Sequence, residues 1–484
     1  TMYLENQHMD VIKTSLIIGI GLTLYYLLLQ WPVDNEINDR YSQEQIEIDS
    51  FNDSERSLSE PLAPLSQASQ GQVEVASDEL DYFEIQNNDL SLMVESRTGR
   101  FEVSSLKNIT EEKGSEERFS IFGRTYDASS GRENVYFANS GFYTRTQGYL
   151  NPEFEKITEQ SGQGNSRVYV LEGASSGLSF SRKIEIEDRG YSIKIEDTVK
   201  SVLGEDIAIT PYVVIERDDS AVEEGGLMYT YLGPVFSSTK DTYEKYDFDD
   251  IKESSYQNKS VGGWVALIQH YFLSAWIPDQ NEEYLYQGRY GDNSGRYSLG
   301  YTSRDSVLSY GETASTKNTL YVGPKLPKQL VEIEENLDLT VDYGFLWWLG
   351  KPMYWFLDLG HSIFNNWGLA IIFLTVALKV LTWPLSAKAY VSMGKMRELA
   401  PKMQLLQEKH GDNRQAMSQE LMEVYKKEGV NPLGGCLPML AQMPFFLAFY
   451  WVLLETVELR HSPFFLWIDD LSAMDPYFIL PILN

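Results

Sequence analysis

Hydrophobic and polar positions repeat along this chain with different periods in different regions. Ser15 to Leu29 reads SLIIGIGLTLYYLLL, and with Trp31 the apolar run reaches 17 residues. That is the short end of what crosses a hydrocarbon core of about 30 Å. The run exceeds most signal-peptide cores and no A-x-A-like site follows it, so residues 1–31 read as an uncleaved membrane anchor. Met9-Asp10 reads as a natural start, with residues 1–8 as foreign or upstream sequence. Residues 32–80 are rich in Ser, Glu, Gln, Asn and Asp without apolar periodicity, which predicts a flexible linker. From residue 81 the period becomes two. Leu178-Phe180 leads to Ile184-Ile186, then Asp188-Arg189-Gly190, then Ile193-Ile195: two strands around a turn. Similar runs recur to Tyr321-Val322, which predicts an antiparallel β domain over residues 81–335, a sandwich of two sheets.

Beyond residue 335 the pattern turns helical and apolar. Residues 342–366 are dense in Trp, Tyr and Phe but interrupted by Lys351, Pro352, Asp358 and His361, as in a helix lying in a membrane interface. Residues 367–385 (WGLAIIFLTVALKVLTWPL) predict a transmembrane helix whose one charge is Lys379. Residues 434–454 predict another, since Pro438 and Pro444 are tolerated within membranes. Between them, residues 386–430 carry Met396, Leu399, Met403 and Leu406, then Met417, Leu421 and Val424, at spacings of three and four. That spacing predicts an antiparallel helical hairpin. Met393, Met396, Met403, Met417 and Met422 fall here, five of the thirteen methionines. They form either the hairpin core or an adaptable apolar contact surface. Residues 455–474 read as an outer loop. Residues 475–484 begin a further apolar run too short to span, so a C-terminally truncated helix is expected.

Charge sorts these regions into two sides. The chain of 484 residues has a mean hydropathy of -0.30 and a net charge of -30. Between Pro32 and Thr340 there are 28 Lys and Arg against 55 Asp and Glu, a net of -27. The block after residue 385 is instead basic, which marks a cytoplasmic loop and puts the β domain outside. The acidity argues against nucleic acid as a direct partner. One cysteine, Cys436, excludes a disulfide framework and a Cys-rich zinc site. The five histidines lack HExxH spacing and no GxxxxGK[ST] occurs, so no metal, nucleotide or other cofactor is expected, and no catalytic residue. His270, within the strand-like apolar run WVALIQHYFLSAW, reads as a structural histidine rather than a catalytic one.

Lys379 is the most informative single residue. It lies about 18 Å along its helix from Trp367, and a charge at that depth is costly unless it serves a function or snorkels to the interface.

Three stretches carry a resemblance. They are LDLTVDYGFLWWLGKPMYWFLDLGHSIFNNWGLAIIFLT, WPLSAKAYVSMGKMRELAPKMQ, and NPLGGCLPMLAQMPFFLAFYWVLL with the residues that follow. They closely resemble the bacterial YidC membrane protein insertases. The resemblance implies a periplasmic β-supersandwich joined to an α-helical polytopic insertase core with a cytoplasmic hairpin, in the bacterial inner membrane. It implies a non-enzymatic function: inserting and folding nascent inner-membrane proteins, alone or with the Sec translocon and its accessory subunits, with lipid and the ribosome as further partners. The family's groove charge is usually Arg, and counted back from Pro384 its place is held here by Lys379. Thr375 and Gln442 match polar groove positions; Met443, Pro444 and Phe446 match the apolar wall. Lys keeps the charge and loses the planar fork. Two other classes stand beside this one: a transporter or channel with Lys379 as its intramembrane site, for which no internal repeat is found, and an enzyme with a carboxylate-and-His cleft in the β domain.

Overall fold

The computed structural model describes residues 81–127, 132–162, 164–218, 230–291, 294–411, 414–427 and 437–473. The expected anchor, the linker and the run 475–484 lie outside them. The described residues fall into two compact units, one of residues 373–447 and one of 81–372 with 448–473.

The β domain is built of two sheets. The eleven-stranded sheet follows the order Tyr82–Gln86, Leu90–Glu95, Phe101–Leu106, Arg132–Thr144, Ile207–Asp218, Arg296–Thr302, Glu283–Gly291 and Tyr256–Val261, with three short strands beside this path. The nine-stranded sheet runs Glu244–Lys245, Gly233–Ser237, Trp264–Ile268, Phe272–Pro278, Thr313–Pro324, Ser192–Ser201, Leu178–Glu187, Ser166–Ser175 and Phe154–Ser161. The central pairings are antiparallel. The period of two explains the hairpin. Ile186 pairs with Ile193, Ile184 with Ile195 and Phe180 with Val199, all buried, while Gly190 closes the turn at φ +104°.

The same register puts Arg182 opposite Asp197 on the buried phase. Their ion pair, 2.6 Å from Nε to Oδ1, sits between the sheets. Arg182 also donates to the Ser140 carbonyl at 2.7 Å and to the Gly99 carbonyl, and its guanidinium packs over Phe101 and Phe154. Every donor needs a partner once water is excluded, and here strands of both sheets supply them. Gly99 has φ +74°, and a Cβ there would come within 2.9 Å of Arg182 Nη1. Trp276 Nε1 donating to the Val214 carbonyl at 3.0 Å and Tyr136 hydroxyl bonded to Ser274 at 2.7 Å further join the layers.

One expectation is corrected in this domain. WVALIQHYFLSAW is not one strand: it forms Trp264–Ile268 and Phe272–Pro278, with His270 in the turn between them. The Gln269 amide donates to the Phe272 carbonyl at 2.8 Å and reverses the chain there.

Short helices α1 (Phe248–Glu253) and α2 (Pro327–Ile333) accompany the sheets. Helix α3 (Trp347–Phe364) buries Gly350, Met353, Leu357 and Gly360 and exposes Trp347, Trp348, Trp355, Phe356, Ile363 and Phe364. The Asn365-Asn366 pair ends it. Asn365 takes the left-handed conformation, its amide donating to His361, and the Asn366 side chain caps the next helix by accepting from the Leu369 amide at 3.0 Å. That helix, α4 (Trp367–Glu398), is among the described residues the one long and apolar enough to cross a membrane. Pro384 lies inside it, and the helix continues past 385 to Glu398. It breaks at Leu399, where Pro401 opens the first turn of α5 (Ala400–His410). α5 contacts α6 (Arg414–Lys427). α7 covers Leu437–Glu455, with its apolar run at Gln442–Glu455.

Candidate functional site

The candidate groove residues lie on α4 and α7 within the unit 373–447. Thr375 and Lys379 are one turn apart and so share a face of α4. Thr375 is half-buried and Lys379 exposed. On α7, Gln442 is half-buried, while Met443, Pro444 and Phe446 are exposed.

Contacts of Lys379 and Gln442 join the helices. The Lys379 ammonium lies 5.4 Å from the centre of the Phe446 ring, over its face, where the ring quadrupole attracts a cation. Such an attraction is worth about 0.5–1 kcal/mol at an exposed site and more once water is excluded. Gln442 Nε2 donates to Ser386 Oγ at 3.3 Å. Of the expected groove residues, the fold brings Lys379 and Phe446 into contact. Gln442 is engaged seven residues further along α4, at Ser386, a position the sequence reading passed over. Its signal was weak: one hydroxyl two residues after Pro384, in a segment read as the start of the loop. Thr382 was also missed. Its hydroxyl folds back onto the Leu378 carbonyl at 2.9 Å, an intrahelical bond that keeps a polar group satisfied in an apolar helix.

The methionines expected on the hairpin divide between elements. Met393 and Met396 lie on α4, the helix of Lys379, and not on a separate arm, because nothing between Ser386 and Glu398 breaks the helix. Met403 is on α5; Met417 and Met422 are on α6. Met393, Met396 and Met417 are half-buried and Met422 is exposed, so the set is partly packing and partly surface.

The site offers hydrogen bonding and one positive charge beside apolar surface. Among the described residues no cluster of His, Cys, Asp or Glu could hold a metal ion.

Residues 83–356 match the family described as "YidC periplasmic domain", and residues 359–484 match "60Kd inner membrane protein". A curated relative from Mannheimia succiniciproducens, named "Membrane protein insertase YidC", is 37% identical over 98% of this chain and 86% of its own length. One of the same name from Actinobacillus succinogenes is 42% identical over 82% of this chain and 74% of its own. A solved α-galactosidase from Geobacillus stearothermophilus covers 54% of this chain and 42% of its own at 7% identity and a TM-score of 0.36, too low to carry an assignment.

Proposed function

Because the chain belongs to the YidC family of membrane protein insertases, we propose that it inserts and folds inner-membrane proteins through a polar intramembrane groove built around Lys379. The working surface is Thr375, Lys379 and Gln442 for polar and acidic segments, and Met443, Pro444 and Phe446 for apolar ones. A hydrated groove lowers the cost of moving a short polar tail through the bilayer. The lysine attracts carboxylates in that tail, and the substrate's apolar segment leaves along the α7 wall into lipid, where its burial drives release. The membrane potential adds to that drive, and no nucleotide is consumed.

What supports this reading is the Lys379–Phe446 contact: the one charge in the apolar stretch 367–385 of α4 points to the neighbouring helix's aromatic wall, within cation–π range. The exposed Met422, with Met393, Met396, Met403 and Met417, would receive apolar segments or partners before insertion. The chain would be multi-pass with the β domain on the periplasmic side. It would work alone or beside the Sec translocon, fed by the ribosome.

The test is complementation of a strain depleted of its own insertase. Lys379→Arg is expected to restore growth and insertion. Lys379→Ala and Lys379→Glu are expected to slow insertion of substrates with acidic translocated tails, and less so of neutral ones. Insertion of acidic-tailed substrates by Lys379→Glu at the wild-type rate would refute the electrostatic role.

A further inference from the structure

A helix leaves its last carbonyls without intrahelical donors, and its C-terminal end carries partial negative charge. At the end of α7 one group that answers these needs is local and the others come from the β domain. Thr456 returns its amide to the Val452 carbonyl at 3.1 Å. The Leu454 carbonyl accepts from His270 Nε2 at 2.9 Å, out of the turn between two β-domain strands. Glu455, the last residue of α7, pairs with Lys325, which follows the strand Thr313–Pro324, at 2.5 Å from Nζ to Oε2, and both side chains are 0% exposed. The Lys325 amide donates to the Tyr271 carbonyl at 2.8 Å, so the lysine and His270 are held together at the end of two central, paired strands. Just after α7, Arg460 donates to the carbonyls of Thr110 at 3.1 Å and Glu111 at 2.7 Å. Its guanidinium lies over the stacked rings of Phe119 and Phe272.

A domain merely tethered beside a membrane protein has no use for a fully buried lysine and glutamate at the junction. Such a pair adds little stability over an apolar one, but it specifies one geometry. We propose that Lys325, His270 and Arg460 are positioning residues: the β domain is a rigid outer anchor that fixes the end of α7 and the loop after it. Glu455 closes the helix that also carries Gln442 and Phe446, so the anchor holds one end of the helix on which insertion is read to depend. The consequence for insertion rests on the insertase reading; the anchoring does not.

The experiment uses the full chain in lipid nanodiscs and compares Lys325→Met, Glu455→Leu, the two combined, and the reversed pair Lys325→Glu with Glu455→Lys. Hydrogen exchange is read at the amides of Thr456, Leu459, Arg460 and Ser462, each hydrogen-bonded in the junction. Each single variant is expected to speed exchange there about tenfold or more, while strand Trp264–Ile268 keeps wild-type protection and shows the domain folded. The apolar double variant is expected to restore protection, because it leaves no buried charge unpaired; protection restored by neither the apolar double nor the reversed pair would overturn the pairing as what holds the junction. Wild-type exchange in both single variants would overturn the proposal. Insertion is then measured in the depleted strain. Singles that loosen the junction and slow insertion, with recovery in the apolar double, support the positioning role. Looser junctions with wild-type insertion overturn that role. Absence of insertion by the unmutated chain would count against the insertase reading and leave the exchange result standing.

Discussion

Replacing Glu216 by Gln isolates a single buried charge in the β domain. Glu216 lies on the central strand Ile207–Asp218, paired with Phe137 on one side and Ser298 on the other, and is 3% exposed. Its Oε2 has no hydrogen-bond partner. Burial pushes its carboxyl up to about 7 from 4.5, against the opposing pull of Arg100 and Arg296. The folded protein therefore holds a proton that the unfolded chain releases near 4.5. A carboxyl raised by folding contributes its full stability below the unfolded value and loses it as pH rises through the folded one. The interval from 4.5 to about 7 corresponds to about 3 kcal/mol, at about 1.4 kcal/mol per pH unit. Gln has nearly the same shape and does not titrate, so its own burial cost is constant with pH. Urea denaturation of both proteins in detergent, followed by the β-sheet signal at pH 4.5, 6 and 8, reads the difference directly. The stability of the Gln variant relative to wild type is expected to rise by about 3 kcal/mol between pH 4.5 and 8. A difference that stays constant over that range would show that Glu216 ionises as freely folded as unfolded.

Arg182→Met is expected to destabilise the β domain by about 3–5 kcal/mol in the same denaturation assay, because Asp197 stays buried without its cation. Adding Asp197→Leu is expected to return most of that loss, and equal loss in the single and double variants would refute the assignment. For α3, a nitroxide at Trp355→Cys in a Cys436→Ser background is expected to meet lipid-soluble relaxation agents at headgroup depth, while one at Met353→Cys is shielded. Equal accessibility at the two positions would rule out an interfacial helix with one lipid face.

The β domain was legible in the sequence where one sheet face is buried and the period of two is clean. Leu178–Glu187 alternates buried and open positions along its length, and its partner does the same. The buried phase also carried information that went unread. Arg182 and Asp197 are opposite charges on the apolar phase of a hairpin whose turn was already located, so the ion pair could have been inferred from register alone. Glu216 offered no such cue. It follows PYVVI, a strand buried on both faces, where alternation disappears and a polar residue cannot be assigned to a side. His270 failed for a related reason: continuous apolar character across WVALIQHYFLSAW hid the turn.

The helical character of the residues after the β domain was legible by composition, and their internal contacts only partly so. Lys379 stands out because the apolar stretch 367–385 contains one charge, and that signal needs no partner to be seen. The length of α4 was harder to read. Hydropathy ends near Leu385, but helix formation does not depend on hydropathy, and Ala, Lys, Met and Arg carry α4 on until Pro401 ends it. The junction contacts could not be read at all. Lys325 and Glu455 are 130 positions apart and His270 is 184 from Leu454, and no local pattern links residues at such distances. Each looks ordinary alone: a lysine after a strand, a glutamate after an apolar run, a histidine in a turn. Only the fold shows that the lysine and glutamate are fully buried together, and burial turns an unremarkable charge pair into a constraint on where a helix ends. The sequence thus exposes a charge set within an apolar run, as with Lys379, and conceals a charge whose solvent is removed by a distant part of the chain.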